Sequence, residues 1–440
     1  MNQLPTITPD NLSFPILPGA WPSLGHFPQA AWDTPKVLRA AQALGPLVWI
    51  NLSGWGLVVC HPDGFELLKG KTLSVAPMAR QGAELVGDSV LSVDGAEHRR
   101  MRGSMNRPFT PEGLSGEGAA KRMAELVEAR SKGMAESPRF NALNELRDLA
   151  LDIIFGVLGV PDADLPWWRE KYQATLLVSF PVAKSVPFSP AWFARRANAE
   201  IGQRLQDEAA RAQAESSPGL LAALARGRDE NGKGLNAQEL VANVRILGLA
   251  GHETTASVLT WSLAYLSQDD ALWSRLVEEA NAAGHIPQAP ADLKKHPIAE
   301  AIFRESLRLR TPLPVMSREV VIPAEVAGHT LPVGTPVRLP LWLWNRDPDR
   351  YPEPERYNPD RWLGRDRKPD PVEMSPFGGG AHFCLGYHLA ILEGVQLLTA
   401  MAQRAQGRRL RLVKGSLPGE RFFPLIQPQG KDTEMVWERA

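Results

Sequence analysis

Cysteine is scarce in this sequence: only Cys60 and Cys384 occur in 440 residues. Two cysteines so far apart exclude a disulfide framework and fit a reducing compartment. An excess of either charge is missing too, with 49 Lys+Arg against 49 Asp+Glu, so nothing favours nucleic acid or an anionic membrane as a partner. Long hydrophobic runs are also lacking. The richest, "LALDIIFGVLGV", falls short of the ~20 apolar residues of a membrane span and carries Asp152. The beginning, "NLSFPILPGAWPSLGHFPQ", is broken by prolines and has no signal-peptide pattern. A cytoplasmic protein is expected.

What remains is an ordinary globular composition, 44% hydrophobic and 22% charged, with enough chain for a large core. "GPLVWINLSGWGLVVCHPDGFELL" alternates β-branched and aromatic runs with Gly and Pro, as strands joined by tight turns do. From about Thr110 to Gln268 the periodicity is helical. "PVRLPLWLWNRDPDRYPEPERYNPDRW" is too rich in proline for helix and reads as an ordered meander. "YHLAILEGVQLLTAMAQRA" is helical again, and "RLRLVKG" and "TEMVW" read as short strands. The expected fold is mainly α with small β-sheets: a proline-rich segment over 1–34, then one domain over 35–440.

The clearest helix is "NAQELVANVRILGLAGHETTASVLTWSLAYLSQ". Asn236 caps it and Glu239 completes a capping box. Leu240, Val244, Leu247, Gly251, Thr254 and Val258 form one stripe. Gly251 costs about 1 kcal/mol against alanine in a helix interior. Either another helix comes close there, or a non-protein group takes the space. Glu253 and Thr254 set an acid beside an alcohol whose hydroxyl can bond back to an upstream carbonyl. They are either a solvated, back-bonded pair or a route for protons. His252-Glu253 begins like H-E-x-x-H, but Ala256 stands where the second zinc ligand belongs, which excludes that site.

In "HPIAEAIFRESLRLRTPLP", Glu305 and Arg308 share a helix face among apolar neighbours. A buried pair of this kind needs further partners to offset desolvation, and Arg361 in "NPDRW" is the candidate.

Cys384 lies in "SPFGGGAHFCLGYHLA". No Lys-Ser/Thr follows the glycines, so this is no phosphate loop. No second cysteine is near enough for zinc. His382, two residues away on an extended loop, faces the other way for a nucleophile's base. A single thiolate leading into a helix N-terminus, with glycines that let backbone lie on a flat surface, describes a ligand to haem iron.

Phe377-Gly378-x-Gly380-x-His382-x-Cys384-x-Gly386, followed by Leu389, Ala390 and Glu393, resembles the haem-binding signature of the cytochrome P450 family. Ala250-Gly251-His252-Glu253-Thr254-Thr255 looks like its oxygen-activation motif, and Glu305-x-x-Arg308 like its helix ion pair. Asn345-Arg346-Asp347-Pro348 and Asn358-Pro359-x-Arg361 are similar to its meander, and His98-x-x-x-Arg102 to its propionate-binding helix. The resemblance spans about residues 35 to 440, with the motifs in order.

The resemblance implies a monooxygenase built around haem b (iron protoporphyrin IX), with Cys384 as iron ligand. Phe377, Gly378, Gly386 and Ala250 would line the cofactor, and His98, Arg102, Arg318 and His382 would bind its propionates. Glu253 and Thr254 would supply protons, with Gly251 making room for O2, while Glu305, Arg308 and Arg361 stay structural. One oxygen atom would enter a lipophilic small molecule by hydroxylation or epoxidation. The pocket would draw on Met78, Leu247, Leu313, Val315, Phe423 and Leu425. The chain has no G-x-G-x-x-G fingerprint, so electrons would come from a separate ferredoxin or flavodoxin with its reductase. Arg99, Arg100 and Arg107 would either dock that partner or form a solvated face. A monomer is expected. Two alternatives remain: a peroxide-using or isomerising haem-thiolate enzyme, and a binding protein or hydrolase using Asp88-Ser89. Cys60 reads as an inert core thiol.

Overall fold

The computed structural model describes residues 7–52, 54–77, 87–175, 187–214, 219–364, 369–370, 372–422 and 425–439. Among these, ten helices have eleven or more residues: α1 (Phe27–Leu44), α2 (Gly95–Asn106), α3 (Ala119–Glu136), α4 (Ala142–Leu158), α5 (Leu165–Thr175), α6 (Pro190–Ala214), α7 (Ala237–Leu266), α8 (Asp270–Ala283), α9 (Pro297–Leu309) and α10 (Tyr387–Gln403). The mainly helical expectation holds.

The centre is α7, about 45 Å long at 1.5 Å per residue. Its capping box forms as the sequence requires: Glu239 N–H donates to Asn236 Oδ1 at 2.9 Å, and Asn236 N–H to Glu239 Oε2 at 2.9 Å. Helices α4, α6, α9 and α10 pack against it. Gly380–Gln403, which includes α10, is long and apolar enough to cross a membrane, contrary to the sequence reading. It is a core helix instead: 61% of its apolar window is buried, and α3, α8 and α9 pack on it. Glu393, deep in α10, has its carboxyl pushed up to about 8 by burial, so it is largely neutral at pH 7.

A five-stranded sheet lies to one side, built from β1 (Leu47–Asn51), β2 (Trp55–Val59), β3 (Leu73–Ser74), β4 (Met316–Val320) and β5 (Pro336–Leu339). The spatial order is β1-β2-β5-β4-β3, with β2 and β5 parallel and the other neighbours antiparallel. Arg139–Asn141, Arg408–Leu412 and Glu434–Arg439 form a smaller sheet. The N-terminal segment joins the larger one: Leu17 N–H donates to Trp49 O at 3.0 Å and Trp49 N–H to Pro15 O at 2.8 Å. The boundary expected between residues 34 and 35 falls inside α1.

The ion pair on α9 is buried and well satisfied. Glu305 accepts from Arg308 Nε at 2.9 Å and Nη2 at 2.8 Å, Arg361 Nε at 3.0 Å, Asn358 N–H at 2.9 Å and Trp362 Nε1 at 2.9 Å. Arg308 Nη1 donates to Asn345 O and Pro354 O, each at 2.8 Å. Two charges thus pin a helix to the proline-rich meander, whose backbone has no ladder of its own. Removing one partner of a buried pair costs about 3–5 kcal/mol. We expect Glu305→Gln to lower the unfolding free energy by about that much, measured by urea denaturation. A loss below about 1 kcal/mol, the scale of a surface pair, would show that the meander holds without it.

Candidate functional site

The cysteine loop follows a single 3-10 turn, Ser375–Phe377. Gly378 at φ +80° and Gly380 at φ +61° take left-handed turns that side chains resist. A Cβ on Gly380 would stand 2.0 Å from Leu68 O, and one on Gly379 3.1 Å from Leu68 Cβ. These two glycines admit the neighbouring short helix Gly64–Lys69, which corrects the expectation that all three serve a flat ligand. Cys384 N–H donates to Phe377 O at 2.8 Å, folding the thiol back over the loop. Open space lies beside the thiol, yet protein surrounds the loop. That burial pushes the thiol up, while the Gly386 amide and Arg102 pull it down.

Beside the thiol, basic side chains gather from three elements. His98 and Arg102 come from α2, Arg318 from β4 and His382 from the loop. The His98 and His382 rings lie 4.1 Å apart. His98 Nε2 is buried without a partner, and burial followed by the nearby His382 and Arg102 charges brings its pKa to about 4. Arg318 is buried, donates among the described residues only to Ser317 O at 2.9 Å, and is lowered to about 10 by burial. Arg102 donates to Asn106 Oδ1 at 2.7 Å.

One carboxylate stands among them, and sequence reasoning missed it. Asp94 is the N-cap residue of α2 but does not cap it. It accepts instead from Ser74 Oγ at 2.7 Å and Val75 N–H at 3.1 Å, and pairs with His382 Nε2 at 3.1 Å. One acid for so many bases leaves room for further anionic oxygens. The "D-G" before the α2 pattern was a visible cap signal; its diversion was not.

The middle of α7 is the other wall. Ala250 is exposed and Leu247, Gly251 and Thr254 half-buried, although the helix is buried on either side of them. The first turn of α10, Tyr387–Ala390, is likewise half-exposed. Two core helices that pack together and both leave faces uncovered fit a slab-shaped group between them. Thr254 Oγ1 donates back to Ala250 O at 2.7 Å, as threonine in a helix does. A Cβ on Gly251 would stand 2.7 Å from Ile154 Cδ1. The helix-contact reading of that glycine therefore holds, and α4 rather than a ligand takes the space of its missing side chain.

Glu253 is buried, not solvated. Arg147 on α4 sets Nε 2.7 Å from its Oε1 and donates from Nη2 to its Oε2 at 2.9 Å. His252 Nε2 lies 3.5 Å from Oε1. Burial pushes this carboxyl up, but His252 and Arg147 outweigh it and hold it at about 2. Arg147 also donates to Gln427 Oε1 at 2.6 Å. Arg147 and Gln427 were missed as well, because 106 and 280 residues of separation hide both pairings from any local pattern.

Of the expected pocket residues, Leu313 is 44% exposed, and Leu247, Val315 and Leu425 are half-buried. Met78 and Phe423 lie outside the described residues. Arg99 and Arg107 are exposed. Arg100 is no docking residue: it pairs with Glu97 at 2.8 Å and Glu239 at 2.5 Å, tying α2 to α7. Ser89 is buried with its hydroxyl unpartnered, which removes the hydrolase pair. Cys60 is buried and its thiol is pushed up to about 12 by burial, as expected of an inert thiol.

Residues 178–406 match the family model for cytochrome P450. The chain is 35% identical over 421 residues to cytochrome P450 BJ-4 of Bradyrhizobium diazoefficiens, covering 94% of each. It is 28% identical over 421 residues to cyclooctat-9-en-7-ol 5-monooxygenase of Streptomyces melanosporofaciens, covering 91% of this chain and 90% of that one. Among solved structures, retinoic acid bound cyanobacterial CYP120A1 superposes with a TM-score of 0.82 at 24% identity, over 98% of this chain and 100% of that one. With a family model matching more than half of the chain and a relative at 35% identity that spans nearly the whole sequence, the chain belongs to the cytochrome P450 family.

Proposed function

We propose that this oxygen-incorporating oxidoreductase binds haem b between α7 and the cysteine loop and hydroxylates or epoxidises a lipophilic small molecule. The observation that carries the reading is the lone thiol beside a cluster of bases short of acceptors. Cys384 would ligate the iron, with Phe377, Gly378, Gly386 and Ala250 around the ring. His98, Arg102, Arg318 and His382 would hold two propionates by charge-assisted hydrogen bonds, which satisfies the buried His98 Nε2. When bound, thiolate-ligated haem iron supplies dioxygen activation, one oxygen atom going to the substrate and the other to water.

The remaining chemistry belongs to the chain. Thr254 holds its hydroxyl on Ala250 O and turns it toward the open face to give a proton. Glu253, ionised at neutral pH, accepts a proton only as its contacts with His252 and Arg147 loosen, so these partners meter delivery. Gly251 serves here by drawing α4 close. Leu247, Leu313, Val315 and Leu425 give an apolar wall, which excludes water and favours a lipophilic substrate. The relatives support that class: one is named for cyclooctat-9-en-7-ol, another was solved with retinoic acid. Arg99 and Arg107 offer a basic edge to an acidic ferredoxin or flavodoxin in the cytoplasm.

The test is the absorption spectrum of the dithionite-reduced protein with carbon monoxide. A strongly red-shifted Soret band is expected, lost in Cys384→Ala; a band typical of histidine-ligated haem would overturn the reading.

For the proton route, we expect Thr254→Val and Glu253→Gln each to slow substrate oxidation about 100-fold. Oxidation of the reduced ferredoxin or flavodoxin should continue, with its electrons appearing as hydrogen peroxide. Product formation at the parental rate would remove both residues from the route.

The Glu253 carboxyl also marks a pH window. Its folded value of about 2 lies below the ordinary 4.5, so its stabilisation is complete above the ordinary value and fades as pH falls toward 2. Glu253→Gln should flatten that part of a stability–pH profile; an unchanged acid limb would contradict the pairing with Arg147.

A further inference from the structure

One buried base on α7 has no role of its own in the proposed chemistry. His252 is fully buried. Helical spacing puts it on the far side of α7 from Ala250 and Thr254, which carry the open face. There its ring meets that of Tyr172 on α5 edge to face, at 6.2 Å. An apolar side chain would fill this place without the cost of burying a polar ring.

The two ring nitrogens are not equivalent. Nδ1 lies 2.7 Å from Gly248 O. A carbonyl only accepts, so the proton of that bond belongs to Nδ1. Nε2 then has no proton in the neutral ring, and it is buried with no hydrogen-bond partner among the described residues. The atom facing it is Glu253 Oε1, at 3.5 Å. A lone pair set against a carboxylate oxygen, both out of water, is unfavourable. One added proton reverses the sign of that contact and makes it charge-assisted.

The surrounding groups limit where such a proton can go. Arg147 on α4 holds both oxygens of Glu253. Arg421 is the cross-strand partner of Gln427, and its positive charge acts on Arg147 and Glu253 alike. Neither arginine takes up a proton. The Tyr172 hydroxyl donates to Arg245 O at 3.1 Å, and burial pushes its pKa up, so it keeps its proton. Among the described residues, Glu253 is the group with which Nε2 can exchange one.

We propose that His252 stores a proton for Glu253, passing it from Nε2 to Oε1 and taking it back from the same oxygen. The Nε2–H bond breaks and an Oε1–H bond forms, while Nδ1–H stays on Gly248 O. Imidazolium and carboxylate thereby become neutral imidazole and carboxylic acid. The transfer itself removes the charges that tie the carboxyl to His252 and to Arg147, which loosens both contacts. Insertion of one oxygen atom, with the other leaving as water, consumes two protons along with two electrons from the redox partner. The store keeps one of those protons beside the carboxylate. His252 acts only through Glu253 and is a positioning residue. This deepens the monooxygenase reading and rests on Glu253 as its proton carrier.

The proton is located by nitrogen NMR of haem-loaded protein carrying isotope-labelled histidine, in its diamagnetic ferrous carbon monoxide complex. Protonated and bare ring nitrogens give separate signals there, and of the nine histidines the one lost in His252→Gln is identified. We expect protons on both nitrogens of His252 at neutral pH, and loss of the one on Nε2 in Glu253→Gln. Turnover gives a second readout, because His252→Gln keeps a donor near Oε1 but has no proton to release. It should slow product formation about 10-fold, with hydrogen peroxide making up the difference. That loss should deepen as pH rises, since every proton must then come from water. A bare Nε2 in the parent, a proton that stays in Glu253→Gln, or parental coupling in His252→Gln would each overturn the proposal. Should His252→Gln fail to fold, the spectra of the parent and Glu253→Gln decide alone. Those spectra need no turnover, so a missing thiolate band strikes the function and a bare Nε2 strikes His252.

Discussion

A charge taken out of water must find its counter-charge, and this constraint arranges the interior of the molecule. Glu305 shows it met in full: two arginines, an indole N–H and a backbone N–H converge on one carboxylate. Asp152 shows it met by Arg130 and Arg169, at 2.8 and 3.0 Å, which hold α3, α4 and α5 together. Where a buried polar atom is left without a partner among the described residues, as at His98 Nε2, an anionic oxygen from outside the chain would complete it. The structural charges and the binding charges differ in no residue type. They differ in whether the chain supplies the partner.

That difference also decides what could be read from the sequence. The capping box at Asn236 and the Glu305–Arg308 pair were legible because their partners lie three residues apart on a helix, where spacing alone puts them together. Arg361 was legible only as a candidate, because a buried pair needs a further partner but 56 residues separate it from Glu305 and no spacing joins them. Asp94 was not legible. Its sequence position predicts a helix cap, and only the arrival of β3 and the cysteine loop draws its oxygens elsewhere.

The glycines teach the same lesson from packing. A glycine signals that something comes close without saying what. At Gly251 and Gly380 it is another part of the chain, a helix side chain in one case and a backbone carbonyl in the other. Reading the triple glycine as a seat for a flat ligand was right about close approach, and at Gly379 and Gly380 the close neighbour is the chain's own Leu68. Tertiary contacts decide between the two, and a local pattern does not contain them.

The acid of α7 joins these threads. Glu253 is held ionised by His252 and Arg147, and Arg147 is held in turn by Gln427. Gln427 lies two residues beyond Leu425, one of the apolar positions proposed for the pocket, on a segment that Ser257 also grips through Ile426 O at 2.9 Å. The group proposed to carry the proton therefore shares a hydrogen-bonded path with a segment proposed to touch the substrate. A ligand that shifted this segment would loosen Arg147 and raise the proton affinity of Glu253, because His252 and the guanidinium together offset the cost of burial. Substrate and proton supply would then be coupled through a single salt bridge, with no moving domain required.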